Sequence, residues 1–413
     1  MRLLFLHQNL PGQFRHLIQH YSSQSGVSMV GMGEAARVKQ NCPRPIPNME
    51  MCTYPTPKPA PAQGHRYMQQ LELQVRRAEL VANELGKLRQ RGFMPDVVLA
   101  HPGWGESLFV KDVFPEARLL NFCEFYYNMH GQDVGFDPEY PSTPEAAFRM
   151  RMQNTAQLQA LAVSSAGLCP TRWQRSSYPA AFQPIIETVH DGVDTDMVRP
   201  NPDAFITLGA QGLRLTRSDE IITFVNRNLE PYRGFHIFMR ALPELLRQRP
   251  QAQVVIVGGD DVSYGRRPAG GLTYRQLLMK EVGKDLDLKR VHFVGYIPYG
   301  LFVNLMQVST VHVYLTYPFV LGWSVLEAMA AGALVVGSRT PPVEEVIRHG
   351  ENGLLVDFFS TSELVAAVCE ACADPERMNA LRQAARQTVI EHYDLKRVCL
   401  PRQLALVEKL AAG

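Results

Sequence analysis

The chain has 413 residues, 46% of them hydrophobic and 20% charged, with a formal net charge of +2 and a pI near 8.1. That length exceeds what one core supports and predicts two domains of about 200 residues each. The near-neutral balance excludes the strongly basic face of a nucleic-acid binder, and no apolar run reaches the ~18 residues of a membrane-spanning helix. The expectation is a cytoplasmic protein, with peripheral contact at the inner membrane face left open.

In chain order, Met1-Arg-Leu-Leu-Phe-Leu-His7 is too short in its apolar part for a secretory leader and reads as a first strand at Leu3–Leu6. Further strands are predicted at Val27–Val30, Val97–Ala100, Leu119–Phe122, Gly167–Cys169 and Ile185–Val189. The segment Cys42–Ala62 carries seven prolines, which bars a helix or a central strand. It reads as an extended surface excursion, or alternatively as a proline-motif docking segment. Arg199-Pro-Asn-Pro-Asp203 is a turn-rich break. It places the domain boundary between Val198 and Ile221, giving a first domain 1–198 and a second 199–391. The second set of strands is predicted at Ile221–Val225, Val254–Val257, Val291–Val294, Val311–Leu315, Ala333–Val336 and Gly353–Val356, with helices at Gly234–Arg247, Tyr274–Val282 and Glu363–Ala373. Short buried strands alternating with helices specify α/β domains with doubly wound parallel sheets. Two such sets predict two Rossmann-like domains facing across a cleft, with the ligand at the carboxyl ends of their strands.

The stretch Tyr317-Pro-Phe-Val-Leu-Gly-Trp-Ser-Val-Leu-Glu-Ala-Met-Ala-Ala-Gly332 carries the most chemistry. A strand precedes it, a glycine-containing turn leads into a helix starting near Trp323 or Ser324, and a second strand follows. Free amides and the dipole at such a helix start favour an anion. Glu327, one turn in, can accept hydrogen bonds from ligand hydroxyls. An anion site beside a hydroxyl site suits a nucleotide sugar. Ser324-Val-Leu-Glu327 also has the spacing of a capping box, so the same carboxylate can serve the helix start. Other chemistries find little support. Cys369-Glu-Ala-Cys372 has no second pair and reads as two reduced helix cysteines. The twelve histidines show no H-E-x-x-H spacing, and there is no phosphate loop of the G-x-x-x-x-G-K-[ST] type and no nucleophile elbow.

Several segments together resemble the group 1, family-4 retaining glycosyltransferases. These are Phe319–Gly332, Ile186-Glu-Thr-Val-His-Asp-Gly-Val-Asp194, Ile222-Thr-Phe-Val-Asn-Arg-Asn-Leu-Glu-Pro-Tyr-Arg-Gly-Phe235, Val254–Gly259, His292–Pro298 and Val346–Val356. Leu6-His-Gln-Asn-Leu-Pro-Gly-Gln-Phe14 resembles the family's first loop, with Gly12 in it. The resemblance implies the glycosyltransferase-B architecture, with the last helix, near Leu395–Leu410 and within 392–413, crossing back onto the first domain. It also implies a nucleotide-diphosphate sugar as donor, no cofactor, and a glycan, lipid-linked or other hydroxyl acceptor. Carried over by motif, Arg227 and Arg233 balance the diphosphate leaving group. Gly322, Trp323, Ser324 and Val325 offer backbone amides, Glu327 holds the ribose, and Gly12 of the first loop with Gly295 and Tyr296 of a further strand end complete the expected donor-binding set. Asp194-Thr-Asp196 resembles the metal clamp of a different transferase architecture, but in this segment the aspartates brace a turn, so no catalytic metal is expected.

One position departs from the pattern. Phe319 stands eight residues before Glu327, where the family usually has a glutamate against the donor sugar. The first domain is expected to supply the acceptor side. His101, Trp104 and Glu106 follow one strand, and Glu124, Tyr127 and His130 the next, with Glu124 or His130 as hydrogen-bonding groups for a sugar or acceptor hydroxyl. The function expected is sugar transfer to a hydroxyl in polysaccharide or other glycan biosynthesis. The alternatives are a nucleotide-sugar epimerase of similar architecture and a non-catalytic sugar-nucleotide-binding partner.

Overall fold

A computed structural model describes residues 1–61, 63–209 and 212–413. The chain divides into two compact units, Met1–Asp191 with Lys396–Gly413, and Gly192–Leu395.

The first unit is built on a parallel sheet of seven strands: β1 (Arg2–Leu6), β2 (Ser28–Glu34), β3 (Met49–Tyr54), β4 (Val97–Ala100), β5 (Arg118–Phe122), β6 (Ala166–Cys169) and β7 (Ile186–Thr188). Their order is β3-β2-β1-β4-β5-β6-β7. Leu3 to Leu6 of β1 are fully buried, as a strand sandwiched between helical layers requires. Leu3 pairs with Val97 and with Met29. The strand order reverses between β1 and β4, so the loops after these two strands diverge to opposite faces and leave room for a ligand. The proline-rich segment holds one strand that its composition concealed. Met49–Tyr54 is free of proline, lies between Pro47 and Pro55, and pairs on one side only with β2. An edge strand tolerates such flanks. Ala62, the end of that segment, lies outside the described residues.

The second unit has a parallel sheet ordered β12-β11-β10-β13-β14-β15. Its strands are β10 (Ile221–Asn228), β11 (Gln253–Gly259), β12 (Val291–Gly295), β13 (Val311–Tyr314), β14 (Leu334–Ser338) and β15 (Leu354–Val356). The order reverses between β10 and β13, and this second switch point positions the site below. A small antiparallel pair, β8 (Phe205–Leu208) with β9 (Leu213–Thr216), lies between the turn-rich break at Arg199–Asp203 and β10, where no strand is predicted.

The units part at Gly192, earlier than Val198. Val193 and Val198 both pack in the second unit's core, and Val193 exchanges backbone hydrogen bonds with Tyr393 and Leu395. The last helix, Leu400–Ala412, belongs to the first unit. Its Leu406 and Val407 join Leu3, Phe5 and Phe14 in one apolar cluster.

Candidate active site

In the second unit, β10 ends in Asn226-Arg-Asn228 at the switch point. Arg227 is exposed there and makes no ion pair among the described residues. The chain then makes a single tight turn, Pro231–Arg233, and passes through Gly234 at φ 70° into the helix Phe235–Gln248. A Cβ at Gly234 would stand 2.3 Å from Leu315 Cβ, so only glycine lets this turn close against the end of β13. The closure delivers Arg233, 8% exposed, into the loop after β13. Its Nη1 donates to Thr316 Oγ1 at 2.7 Å, to the Val320 carbonyl at 3.0 Å and to the Tyr314 hydroxyl at 3.4 Å. Burial opposes the guanidinium's charge, but Tyr314, Tyr264 and Glu230 outweigh it and hold its pKa above the ordinary value. Arg233 is therefore a clasp as well as a cation, a double role that its place in the motif did not reveal.

The helix Trp323–Ala331 starts from Gly322 as N-cap, with no side-chain cap. Ser324 lies inside the first turn, which removes the capping-box reading of Ser324 and Glu327. The Gly322 amide is already donated to the Tyr314 hydroxyl at 2.7 Å. The remaining first-turn amides, from Trp323 to Val325, have no acceptor within the helix itself. Trp323 is exposed, Val325 is buried, and Glu327 accepts a 2.7 Å hydrogen bond from the Tyr299 hydroxyl. At the end of β12, Gly295 lies at φ 66° in open space, and the next residue, Tyr296, is 68% exposed and donates its hydroxyl to Asn228 Oδ1 at 2.8 Å. Phe319 is buried, edge-on to Tyr232 and Tyr264.

The first unit gathers a second set of groups at the switch point between β1 and β4. His7 follows β1, His101 follows β4 and Glu124 follows β5. The Asn9 amide donates to His7 Nδ1 at 2.9 Å, so Nε2 carries the proton and donates to Gln13 Oε1 at 2.6 Å. Gln13 Nε2 in turn donates to Glu124 Oε1 at 3.2 Å. The Gly103 amide donates to His101 Nδ1, which leaves His101 Nε2 as the protonated nitrogen, 3.4 Å from Glu124 Oε2. Trp104 stacks on His101 with ring centroids 4.1 Å apart. The chain from Asn9 through His7 and Gln13 ends on the Glu124 carboxylate, whose side chain remains 37% exposed. Burial raises the pKa of Glu124, but His101, His7 and Gln13 outweigh it, and the carboxyl sits below its usual range. His7 is pushed down to about 3, first by burial and then by His101. Gly12, at φ 51°, allows the first loop to lie against this histidine; a Cβ there would fall 2.5 Å from the His7 ring.

The other residues expected on the acceptor side scatter. Glu106 does not emerge. It is 1% exposed and accepts from the Tyr54 hydroxyl at 2.8 Å, beneath the loop rather than on it. Tyr127 is braced by Asn154, which bonds both its backbone amide and its carbonyl. His130 lies exposed in the loop after β5. Asp194 Oδ1 accepts the amides of Asp196 and Met197, closing its own turn. His7 and Gln13 are the functional-looking residues that motif reading passed over. Both sit in the first-loop segment quoted for its glycine, and their spacing around that glycine was the available signal.

Two family models match. One, described as glycosyl transferase family 4 group, covers residues 26–198, and one, described as glycosyl transferases group 1, covers residues 211–388. Among similar curated proteins is the GDP-mannose-dependent alpha-(1-6)-phosphatidylinositol monomannoside mannosyltransferase of Mycolicibacterium smegmatis, 29% identical over 68% of this chain and 69% of that protein. The D-inositol 3-phosphate glycosyltransferase of Corynebacterium jeikeium is 29% identical over 48% of this chain and 46% of its own length. Among solved structures, Anabaena HepE in complex with UDP and glucose has the same fold across 100% of both chains, with a TM-score of 0.68 at 18% identity.

Proposed function

The chain belongs to the family-4, group 1 glycosyltransferases, and from that premise we propose that it moves a sugar from a nucleotide-diphosphate sugar to a hydroxyl acceptor, with retention of anomeric configuration, in glycan biosynthesis. One observation carries the donor side. The exposed Arg227 and the buried Arg233 flank the end of β10 at a sheet switch point, in the same unit as a helix start that bears Glu327 one turn in. Two cations and a helix N-terminus suit a pyrophosphate, and a carboxylate held by a tyrosine hydroxyl suits a ribose.

In this reading Arg227 takes the phosphates directly. Arg233 contributes its charge and, through Nη1, fixes the loop that leads to the helix start. The ribose hydroxyls share Glu327 with Tyr299. As the sugar–phosphate bond breaks, negative charge grows on the diphosphate, and these groups stabilise it where it develops. The acceptor hydroxyl attacks on the face the diphosphate leaves, and the departing phosphate oxygen takes its proton. Glu124, ionised at neutral pH, accepts a hydrogen bond from a sugar or acceptor hydroxyl and supplies no proton. We place the neutralising charge on arginine rather than on a metal, so EDTA should leave the rate unchanged. The similar curated proteins include a GDP-mannose-dependent phosphatidylinositol monomannoside mannosyltransferase and a D-inositol 3-phosphate glycosyltransferase, and a protein of the same fold binds UDP, company that a lipid-linked or other glycan acceptor fits.

The test is a thermal-shift panel of UDP, GDP, ADP and their sugar conjugates on wild type and Arg227→Ala. A ligand that binds only the folded state raises the melting temperature. One base should raise it in the wild type and fail to do so in the variant. Equal shifts in both proteins would refute the donor assignment.

A further inference from the structure

We infer that Tyr264 is the face on which the donor's sugar ring rests, a specificity-determining contact that deepens the donor reading above and depends on it. A sugar joined to a diphosphate near Arg233 meets whatever borders that guanidinium. On the core side, the loop Thr316–Gly322 holds no Asp or Glu, and Tyr317, Phe319, Val320 and Leu321 are buried. Thr316 Oγ1 is taken by Arg233. That wall has no carboxylate for sugar hydroxyls.

Tyr264 borders the same guanidinium and, unlike that wall, is open to solvent. The residue is 40% exposed, with the Arg233 guanidinium 5.4 Å from the ring centroid and Phe319 meeting the ring edge-on at 4.9 Å. Tyr232 packs beside it at 6.0 Å. Its backbone is anchored as firmly as its ring. Glu230, 1% exposed, collects three successive amides, from Ser263 at 2.8 Å, Tyr264 at 3.2 Å and Gly265 at 2.8 Å. A buried carboxylate is costly unless its hydrogen bonds are made, and the bonds that satisfy this one fix the loop's backbone in place. Here the thing held is an aromatic face beside the phosphate-binding cation. Such a face takes the C–H side of a pyranose, its hydroxyl takes one hydrogen bond at the rim, and prior ordering lowers the entropy lost on binding.

The experiment is calorimetry of wild type, Tyr264→Ala and Tyr264→Phe with UDP, GDP and ADP and with the glucose and mannose conjugate of each. In Tyr264→Ala, affinity for the sugar conjugate should fall about tenfold relative to the matching diphosphate, a change of about 1.4 kcal/mol, while the diphosphate itself binds as in wild type. Tyr264→Phe should keep most of the conjugate's affinity. Equal losses for conjugate and diphosphate would overturn the inference by showing that Tyr264 acts only through Arg233, and so would no loss at all. A wild type that binds none of these nucleotides would overturn the donor reading and this contact with it. The ring is part-exposed, so the variants should fold, and matched melting curves without ligand check this.

Discussion

Arg227 and Arg233 come from one short motif, yet the structure gives them different work, and the difference can be measured. Arg227 is exposed at a strand end. Arg227→Ala should therefore leave stability within about 0.5 kcal/mol while turnover falls by about 10²–10³. Arg233→Ala strips the donor from Thr316 and from the Val320 carbonyl inside a buried loop, at about 1–3 kcal/mol for each group left unsatisfied. Urea unfolding should separate the two variants, and equal stability would contradict the clasp. Glu124 gives a second prediction at this scale. Its carboxyl lies below the ordinary range, so it is ionised throughout neutral pH. Glu124→Gln should lower transfer by about 10- to 100-fold, the loss of a charge-assisted hydrogen bond of about 1.5–3 kcal/mol, yet its pH profile should run parallel to wild type from about pH 5 to 8, above the ordinary carboxylate pKa of about 4.3. A limb near neutrality that disappears in the variant would show that Glu124 titrates there. Motif spacing drew attention to the two arginines and Glu327. It could not show that Arg233 would be buried or that Glu106 would turn inward to Tyr54, because both depend on loops closing against elements far along the chain.

At the scale of elements, the hydrophobic runs were enough. Each strand expected from a short apolar segment lies in one of the two parallel sheets, because strands buried on both faces need unbroken apolar sequence. What escaped was edge structure. Strand β3 and the β8–β9 pair are only partly buried, so they lack the unbroken apolar run of a central strand, and β3 is further masked by the prolines on either side. The crossing at Gly192 was hidden for a related reason, since Val193 to Val198 carry no turn signal beyond an Asx turn. Gly234 is the joint on which the donor loop depends. At φ 70°, with a Cβ destined to fall 2.3 Å from Leu315, Gly234→Ala should cost about 3 kcal/mol. It should also impair nucleotide binding, since the same turn carries Arg233. A thermal melt and a nucleotide titration of that variant check both effects, and a stable variant with normal binding would show that the turn is not strained.

For the whole molecule, acid sensitivity should begin earlier than carboxylates alone predict. His7, His190 and His312 are buried, and burial pushes their pKa values down to about 3, about 4 and about 3. The unfolded chain binds protons at these positions from about pH 6.5 downward, whereas the folded chain does not. Their contribution is complete above that pH and is lost as pH falls toward the folded values, at up to about 1.4 kcal/mol per pH unit for each group. The melting temperature should fall from pH 7 to 5, and a flat profile would show that these rings are not held neutral. The central claim, that this is a transferase with an arginine-lined donor site, is tested most directly by nucleoside diphosphate release from a panel of nucleotide sugars, with and without an acceptor extract. Acceptor-dependent release from one donor, lost in Arg227→Ala and indifferent to EDTA, is the predicted result. Conversion of the donor to an isomer without acceptor, or binding with no release under any condition, would contradict it.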